Sequence, residues 1–297
     1  MKIRIGTRKS KLALIQSELA ARALEKAYPD IETELVHITT KGDVILDKPL
    51  EKIGGKGVFI DEIERAMLAG EIDIAVHSAK DLPSELAAGT GIYAMLERAD
   101  PHDMLVTRRD EALPEHPVTG TSSTRRAAGV RKLLPGAVTA DIRGNVDTRL
   151  NKLAEGQYDC IVLAAAGLSR LGALTDYRFS FERIGYDILL PAPCQGIIAV
   201  QSRSDSELPE LLSRITDRDA EICFRTERRV LELMNAGCSS PAGAVAELFV
   251  EQRACVAQIA ILAVGYGDAG VEALDTHLFQ LVFQRGIDAC SDSSAAM

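Results

Sequence analysis

Imidazole, hydroxyl, ammonium and carboxylate crowd into the short stretch His77-Ser78-Ala79-Lys80-Asp81, directly after the apolar run Ile74-Ala75-Val76. Pro83 follows and has no N–H to offer a sheet ladder. The pattern reads as a buried strand that stops where the polar groups begin. In open α/β sheets ligands bind beyond the carboxyl ends of the strands, which makes His77, Ser78, Lys80 and Asp81 the place to look for a site. A carboxylate and an ammonium there could hold and polarise a charged substrate. A solvated turn is the plain alternative, and His77 reads as a neutral, hydrogen-bonded structural histidine.

The arginines form a second group. Arg8, Arg125, Arg126, Arg143, Arg149 and Arg170 fall in or beside expected strand-to-helix loops of a chain whose formal net charge is −9. Guanidinium grips carboxylate or phosphate with a planar fork, each charge-assisted hydrogen bond contributing about 1.5–3 kcal/mol. One arginine alone reads as a surface ion pair, but six at equivalent positions imply an anionic ligand, with Thr121, Ser122 and Ser123 adding donors. The negative charge and an aromatic content of 4% speak against nucleic-acid binding. The six cysteines show no C-x-x-C pair and no clustering with histidine, which argues against a metal site or a disulfide framework. Cys238 alone falls on a flexible Gly-Cys-Ser-Ser-Pro turn, where spacing leaves both an inert and a reactive thiol open.

These side chains need elements to carry them. Residues 2–6 read as a strand, and Ser10 as the cap of a helix with Leu12, Ile15, Leu19 and Ala23 on one face. A strand follows over 31–39. Residues 44–57 are glycine-rich and bear Lys52 and Lys56, a composition suited to a mobile lid and lacking the Walker pattern. A helix over 59–68 leads to the strand at 72–76. The plan repeats with a stretch at 118–123 that ends in a small-hydroxyl turn, a helix over 125–134, a strand at 138–142, a helix over 146–154 and a strand at 160–165. Two βαβαβ halves with parallel strands are expected, their carboxyl ends facing across a cleft. Residues 194–200 read as an apolar strand crossing back to the first half, and 219–234 as a charged amphipathic helix. The chain has no apolar run long enough to span a bilayer, and its start reads straight into a strand, so a cytoplasmic location is expected.

Six motifs appear in order: Ile5-Gly6-Thr7-Arg8-Lys9-Ser10, Lys52 to Phe59, Ala75 to Asp81, Gly120-Thr121-Ser122-Ser123-Thr124-Arg125-Arg126, Ile142 to Leu150, and Ala166 to Gly172. In this series the sequence resembles the porphobilinogen deaminase family. The resemblance implies an α/β fold with two periplasmic-binding-protein-like (type II) domains around a cleft and a smaller C-terminal α+β domain. Their expected spans are 1–96 with 196–215, then 97–195, then 216–297. It implies a dipyrromethane cofactor attached by thioether to Cys238, and Asp81 as the catalytic carboxylate. Arg8, Ser10, Lys80, Thr121, Ser122, Ser123, Arg125, Arg126, Arg143, Arg149 and Arg170 would bind carboxylates of cofactor and substrate. Ser78, Gln195 and Gly196 would line the cleft, and Lys52, Lys56 and Phe59 would belong to a lid.

The implied activity is hydroxymethylbilane synthase: a monomer condenses four porphobilinogen molecules on the primer, without metal, nucleic acid or membrane. On fold and arginines alone, a non-catalytic two-domain clamp for a polycarboxylate is the alternative. Two positions depart from the family pattern. Cys194 stands where a glycine usually precedes Gln195-Gly196, and Thr124 where a leucine usually precedes the paired arginines. Cys194 is therefore expected as a second thiol beside the cleft.

Overall fold

The structure, a computed structural model, describes residues 1–40, 60–234, 242–249, 254–262 and 276–283. The first strand, β1 (Lys2–Thr7), runs into α1 (Lys11–Ala27), whose cap Ser10 accepts a hydrogen bond from Ala13 N at 3.3 Å. Such a cap is worth about 1 kcal/mol. Along α1, Gln16, Ser17, Ala20, Ala21 and Leu24 share the buried stripe. After β2 (Glu32–His37) come α2 (Asp61–Leu68) and β3 (Ile74–Ser78), which ends in a 3-10 turn at Ala79–Asp81. Then β4 (Thr90–Leu96) leads through a crossover to β5 (Asp103–Arg108).

The second half comprises β6 (Val118–Gly120), α3 (Thr124–Leu133), β7 (Val138–Ala140), α4 (Val146–Ala154), β8 (Cys160–Ala164), α5 (Ala165–Arg170) and β9 (Phe179–Arg183). A return crossover leads to β10 (Ile198–Arg203), then α6 (Leu208–Ser213), α7 (Arg218–Leu233), β11 (Ala242–Phe249), β12 (Ala254–Leu262) and β13 (Thr276–Phe283).

Two five-stranded sheets have matching orders, β2-β1-β3-β10-β4 and β7-β6-β8-β5-β9, and β11-β12-β13 form a third, antiparallel sheet. The expectation of purely parallel strands is corrected. In each five-stranded sheet the fourth strand is antiparallel to both neighbours, β10 to β3 and β4, β5 to β8 and β9. These are the strands with which the chain lands after each crossover. The fold is the α/β, type II binding-protein-like plan.

The return strand begins at Ile198 rather than Cys194. Cys194 (φ 63°) and Gly196 (φ 91°) both occupy the left-handed region, which no strand residue adopts. At Gly196 a Cβ would stand 2.2 Å from the Ala99 carbonyl oxygen. That approach lets the crossovers lie side by side, with Ala99 N donating to Gly196 O at 3.1 Å and Arg98 Nε to Gln195 O at 3.0 Å.

Helix α7 seals this junction. Its Ala220, Cys223 and Phe224 pack in one apolar cluster with Ala79, Leu82, Cys194, Ile197 and Ala199. Fully burying side chains of this size contributes about 1.5–3 kcal/mol each for the larger ones. Glu227 of the same helix is fully buried and receives Arg98 Nη1 at 2.6 Å, Cys194 N at 2.5 Å and Ala246 N at 2.7 Å. One carboxylate thus joins both crossovers to the third sheet. Burial pushes its pKa up against the opposing effect of Arg98. Cys194 is buried under α7, and burial raises its thiol pKa well above the usual value. The expectation of a thiol facing the cleft is thereby corrected: the residue's left-handed backbone turns it into the apolar cluster.

Candidate functional site

The turn after β3 is anchored residue by residue. His77 is buried, its Nε2 2.9 Å from Gln201 Oε1. Gln201 Nε2 already donates to Glu64 Oε1 at 2.7 Å and Thr90 Oγ1 at 2.8 Å, so its oxygen must accept and His77 must carry its proton on Nε2. Burial lowers the His77 pKa to about 4, opposed by the Gln201 bond, and keeps the ring neutral. Next, Ser78 Oγ receives Gln16 Nε2 at 2.8 Å, Ala79 N donates to Ile197 O at 3.0 Å, and Lys80 Nζ donates to Gln195 Oε1 at 3.3 Å. Asp81, the next residue, is exposed and makes no hydrogen bond or ion pair among the described residues. A rigid strand end thus presents a carboxylate with its acceptor sites open.

Lys80 has its pKa lowered to about 8, first by burial, with Asp81 and Asp103 opposing and Arg126 and Arg125 reinforcing. Arg149 approaches from the second half, its pKa lowered to about 10 by burial, then by Arg126 and Arg143, with Asp81 opposing. Groups of both halves therefore share one electrostatic environment. Arg149 Nε donates to Gly144 O at 2.8 Å, and Arg170 Nη2 to Gly196 O at 2.6 Å. Burial lowers the Arg170 pKa to about 10 as well. Neither guanidinium meets a carboxylate in an ion pair among the described residues. Taking a charge out of water without a counter-charge is costly, so both are set to receive an anion.

Arg125 and Arg126 are placed differently. Both are buried in the first turn of α3, against the fully buried carboxylate of Asp103 at the start of β5. Arg126 Nη2 and Nε reach Asp103 Oδ1 at 2.7 and 3.1 Å. Arg125 Nη1 stands 2.7 Å from Oδ2 as an ion pair and donates to Leu190 O at 2.5 Å; Oδ2 has no aligned hydrogen bond. Burial alone would raise the Asp103 pKa, but the two arginines outweigh it and hold it far below the usual range. Gln195 closes the arrangement, its Nε2 donating to Asp103 Oδ1 at 3.1 Å and to Pro101 O at 2.7 Å. The cluster keeps net positive charge, two guanidiniums to one carboxylate.

The remaining candidates shape the surroundings. Arg8 and Ser10 lie between β1 and α1, where Ser10 caps the helix. Thr121 Oγ1 accepts from Ser123 N at 3.2 Å, Ser122 Oγ bridges to Ile142, and Ser123 caps α3. Arg143 lies just before α4, its carbonyl receiving Lys152 Nζ at 3.1 Å. As expected, Arg125 and Arg126 open α3 and Arg149 lies within the helix α4, while Arg170 ends the helix α5 rather than standing in a loop. Lys52, Lys56, Phe59 and Cys238 lie outside the described residues. Asp103, Gln16, Gln201 and Glu227 were not singled out in the sequence. Only Asp103 left a trace there, a lone acid at the head of the apolar run Met104-Leu105-Val106 in a chain whose paired arginines need a counter-charge.

Residues 3–210 match the family model described as "Porphobilinogen deaminase, dipyromethane cofactor binding domain". The chain is similar to the porphobilinogen deaminase of Roseiflexus sp. (strain RS-1), 52% identical over 248 residues, which cover 82% of this chain and 81% of the relative. That of Roseiflexus castenholzii is 49% identical over the same shares, and that of Syntrophobacter fumaroxidans 45% identical over 83% of this chain and 80% of the relative. Among solved structures, the periplasmic VFT2 domain of Bordetella pertussis BvgS overlaps at a TM-score of 0.45 with 14% identity, covering 77% of this chain and 92% of that one. That likeness is too slight to carry an argument. By a model spanning most of its length and by relatives near half identity, the chain belongs to the porphobilinogen deaminase family.

Proposed function

We propose that this chain is a hydroxymethylbilane synthase, a transferase that joins four porphobilinogen molecules head to tail with loss of ammonia and then releases the linear tetrapyrrole by hydrolysis. It works as a cytoplasmic monomer, on a dipyrromethane primer attached to Cys238. The observation that carries the reading is an exposed Asp81 with open acceptor sites in the field of the half-buried Arg149, together with Arg170, neither guanidinium having a carboxylate in an ion pair among the described residues.

Every porphobilinogen unit brings an acetate and a propionate, so a growing chain needs many cations and few apolar walls. The residues present fit such a polycarboxylate. Arg149, Arg170 and Arg143 from one side, and Arg8, Ser10 and Lys80 from the other, hold the carboxylates, with Thr121, Ser122 and Ser123 at the rim. When bound, the dipyrromethane supplies the pyrrole carbon to which new units are joined.

Asp81 accepts pyrrole N–H groups and stabilises the positive charge that develops on the substrate as ammonia departs. A preorganised group of this kind contributes about 10²–10³ in rate. Lys80, charged below about pH 8 and held by Gln195, adds positive charge beside the carboxylate. Arg125 and Arg126, braced on Asp103, keep the second half electropositive and rigid behind the reacting groups.

Intact-mass analysis of the purified protein should show an adduct that is missing in Cys238→Ser. The Asp81→Ala protein should keep the adduct and lose nearly all turnover. A parent protein that turns over without any adduct removes Cys238 from the mechanism, and full turnover in Asp81→Ala removes Asp81.

A further inference from the structure

The Asp81 side chain has no partner among the described residues, so its direction depends on the main chain that carries it. On the entry side that chain is tied by Ala79 N to Ile197 O at 3.0 Å, and within the turn by Leu82 N to Ala79 O at 3.2 Å. On the exit side one side chain does the work. Arg228 Nη1 donates to Leu82 O at 3.3 Å, and Nη2 donates to Pro83 O at 2.6 Å and Ser84 O at 3.0 Å. A single guanidinium gathers three successive carbonyls, which only its broad donor fork allows.

Arg228 belongs to α7, the helix whose Ala220, Cys223 and Phe224 form the apolar floor under Ala79 and Leu82. Its neighbour Glu227 holds the two crossovers and Ala246 of β11. Adjacent positions on a helix point about 100° apart, so one turn of α7 grips the exit from the Asp81 turn and the junction together. The helix ends at Leu233, five positions before Cys238 in the sequence.

We propose that Arg228 is a positioning residue for the reaction: it locks the exit of the Asp81 turn onto α7 and so sets where that carboxylate stands relative to the rest of the site. This inference rests on the function proposed above. Small misplacements of a catalytic group cost about 10²-fold in rate, and Arg228→Met should lower kcat by about that factor. KM should stay within about twofold, because the carboxylate-binding cations are untouched.

The test compares Arg228→Met, Arg228→Lys and, as control, Arg225→Met, whose exposed guanidinium pairs with Glu221 on the same helix. Three readouts are taken on the full chain: kcat and KM, melting temperature, and amide hydrogen exchange across residues 79–90. The lysine variant should recover part of kcat, since an ammonium reaches fewer carbonyls, and the control should match the parent. Exchange should quicken in 79–90 of Arg228→Met while the rest of the chain keeps its protection. Unchanged kcat in Arg228→Met overturns the proposal, and so does a loss that comes with faster exchange everywhere. Should the methionine variant fail to fold, the lysine variant decides in the same way, by local exchange and lowered kcat against parent behaviour. A parent without adduct or turnover sinks the proposed function instead, which keeps the two failures apart.

Discussion

Two pairs of arginines in the second half are held in opposite ways. Arg125 and Arg126 share the buried carboxylate of Asp103, two cations on one anion. Arg149 and Arg170 are half-buried, and their hydrogen bonds go to the main-chain oxygens of Gly144 and Gly196. A carbonyl dipole orients a guanidinium without neutralising it, whereas a carboxylate does both. The first pair is therefore part of the framework. The second keeps its charge without a carboxylate ion pair among the described residues, as the proposed binding of an anionic ligand requires. Sequence alone gives all four the same appearance, and their different partners give them different work.

The contrast is broken most forcefully at Asp103. Replacing it with asparagine leaves two buried guanidiniums without a counter-charge, and removing one partner of such a cluster typically costs about 3–5 kcal/mol. Urea unfolding of Asp103→Asn should show that loss. A change below about 1 kcal/mol, the range of exposed ion pairs, would mean that the carboxylate does not hold the pair.

Arg149→Ala and Arg170→Ala should behave the other way round. Each should lower kcat/KM by about 10- to 100-fold, the equivalent of one charge-assisted hydrogen bond to substrate. Stability should stay level or rise, because a desolvated cation has been removed. If either variant is instead destabilised with kcat/KM intact, that arginine belongs with the framework pair.

The smallest effect concerns Lys80, which sits between the two arrangements. Its folded pKa of about 8 lies below its ordinary value of 10.5, so burial of the ammonium opposes folding fully below about pH 8. That penalty fades as pH rises from about 8 towards 10.5. Substrate binding runs in the opposite sense, since the neutral amine above pH 8 no longer attracts a carboxylate. The pH profile of kcat/KM should fall through about pH 8, and Lys80→Arg should move that break upward because guanidinium stays charged. A profile unaltered by the arginine substitution would assign the break to another group.

Much of the architecture was legible because its signals are local. The cap Ser10 and the strand-ending polar run after Val76 act within one or two turns of chain, whereas the stripe read on α1 is corrected: Leu19 is exposed, Leu12, Ile15 and Ala23 are half-buried, and the buried face is Gln16, Ser17, Ala20, Ala21 and Leu24. The antiparallel fourth strands were not legible, since β5 and β10 look like any apolar strand and their direction follows from which edge the crossover reaches. Cys194 was misjudged for a related reason. A thiol next to Gln195 reads as cleft-facing until the left-handed backbone at 194 turns it under α7.

On its own, the sequence determined which residue types are present and which elements carry them: an acid and a lysine at one strand end, arginines around helix starts, helices and strands of definite length. Only the tertiary structure decided how those charges are partnered. The deciding bonds span Gln201 to Glu64, 137 residues apart, and Arg228 to Pro83, 145 apart. Hydrogen bonds and ion pairs act over a few ångströms, and the chain distance between partners carries no information about them until the fold has closed it.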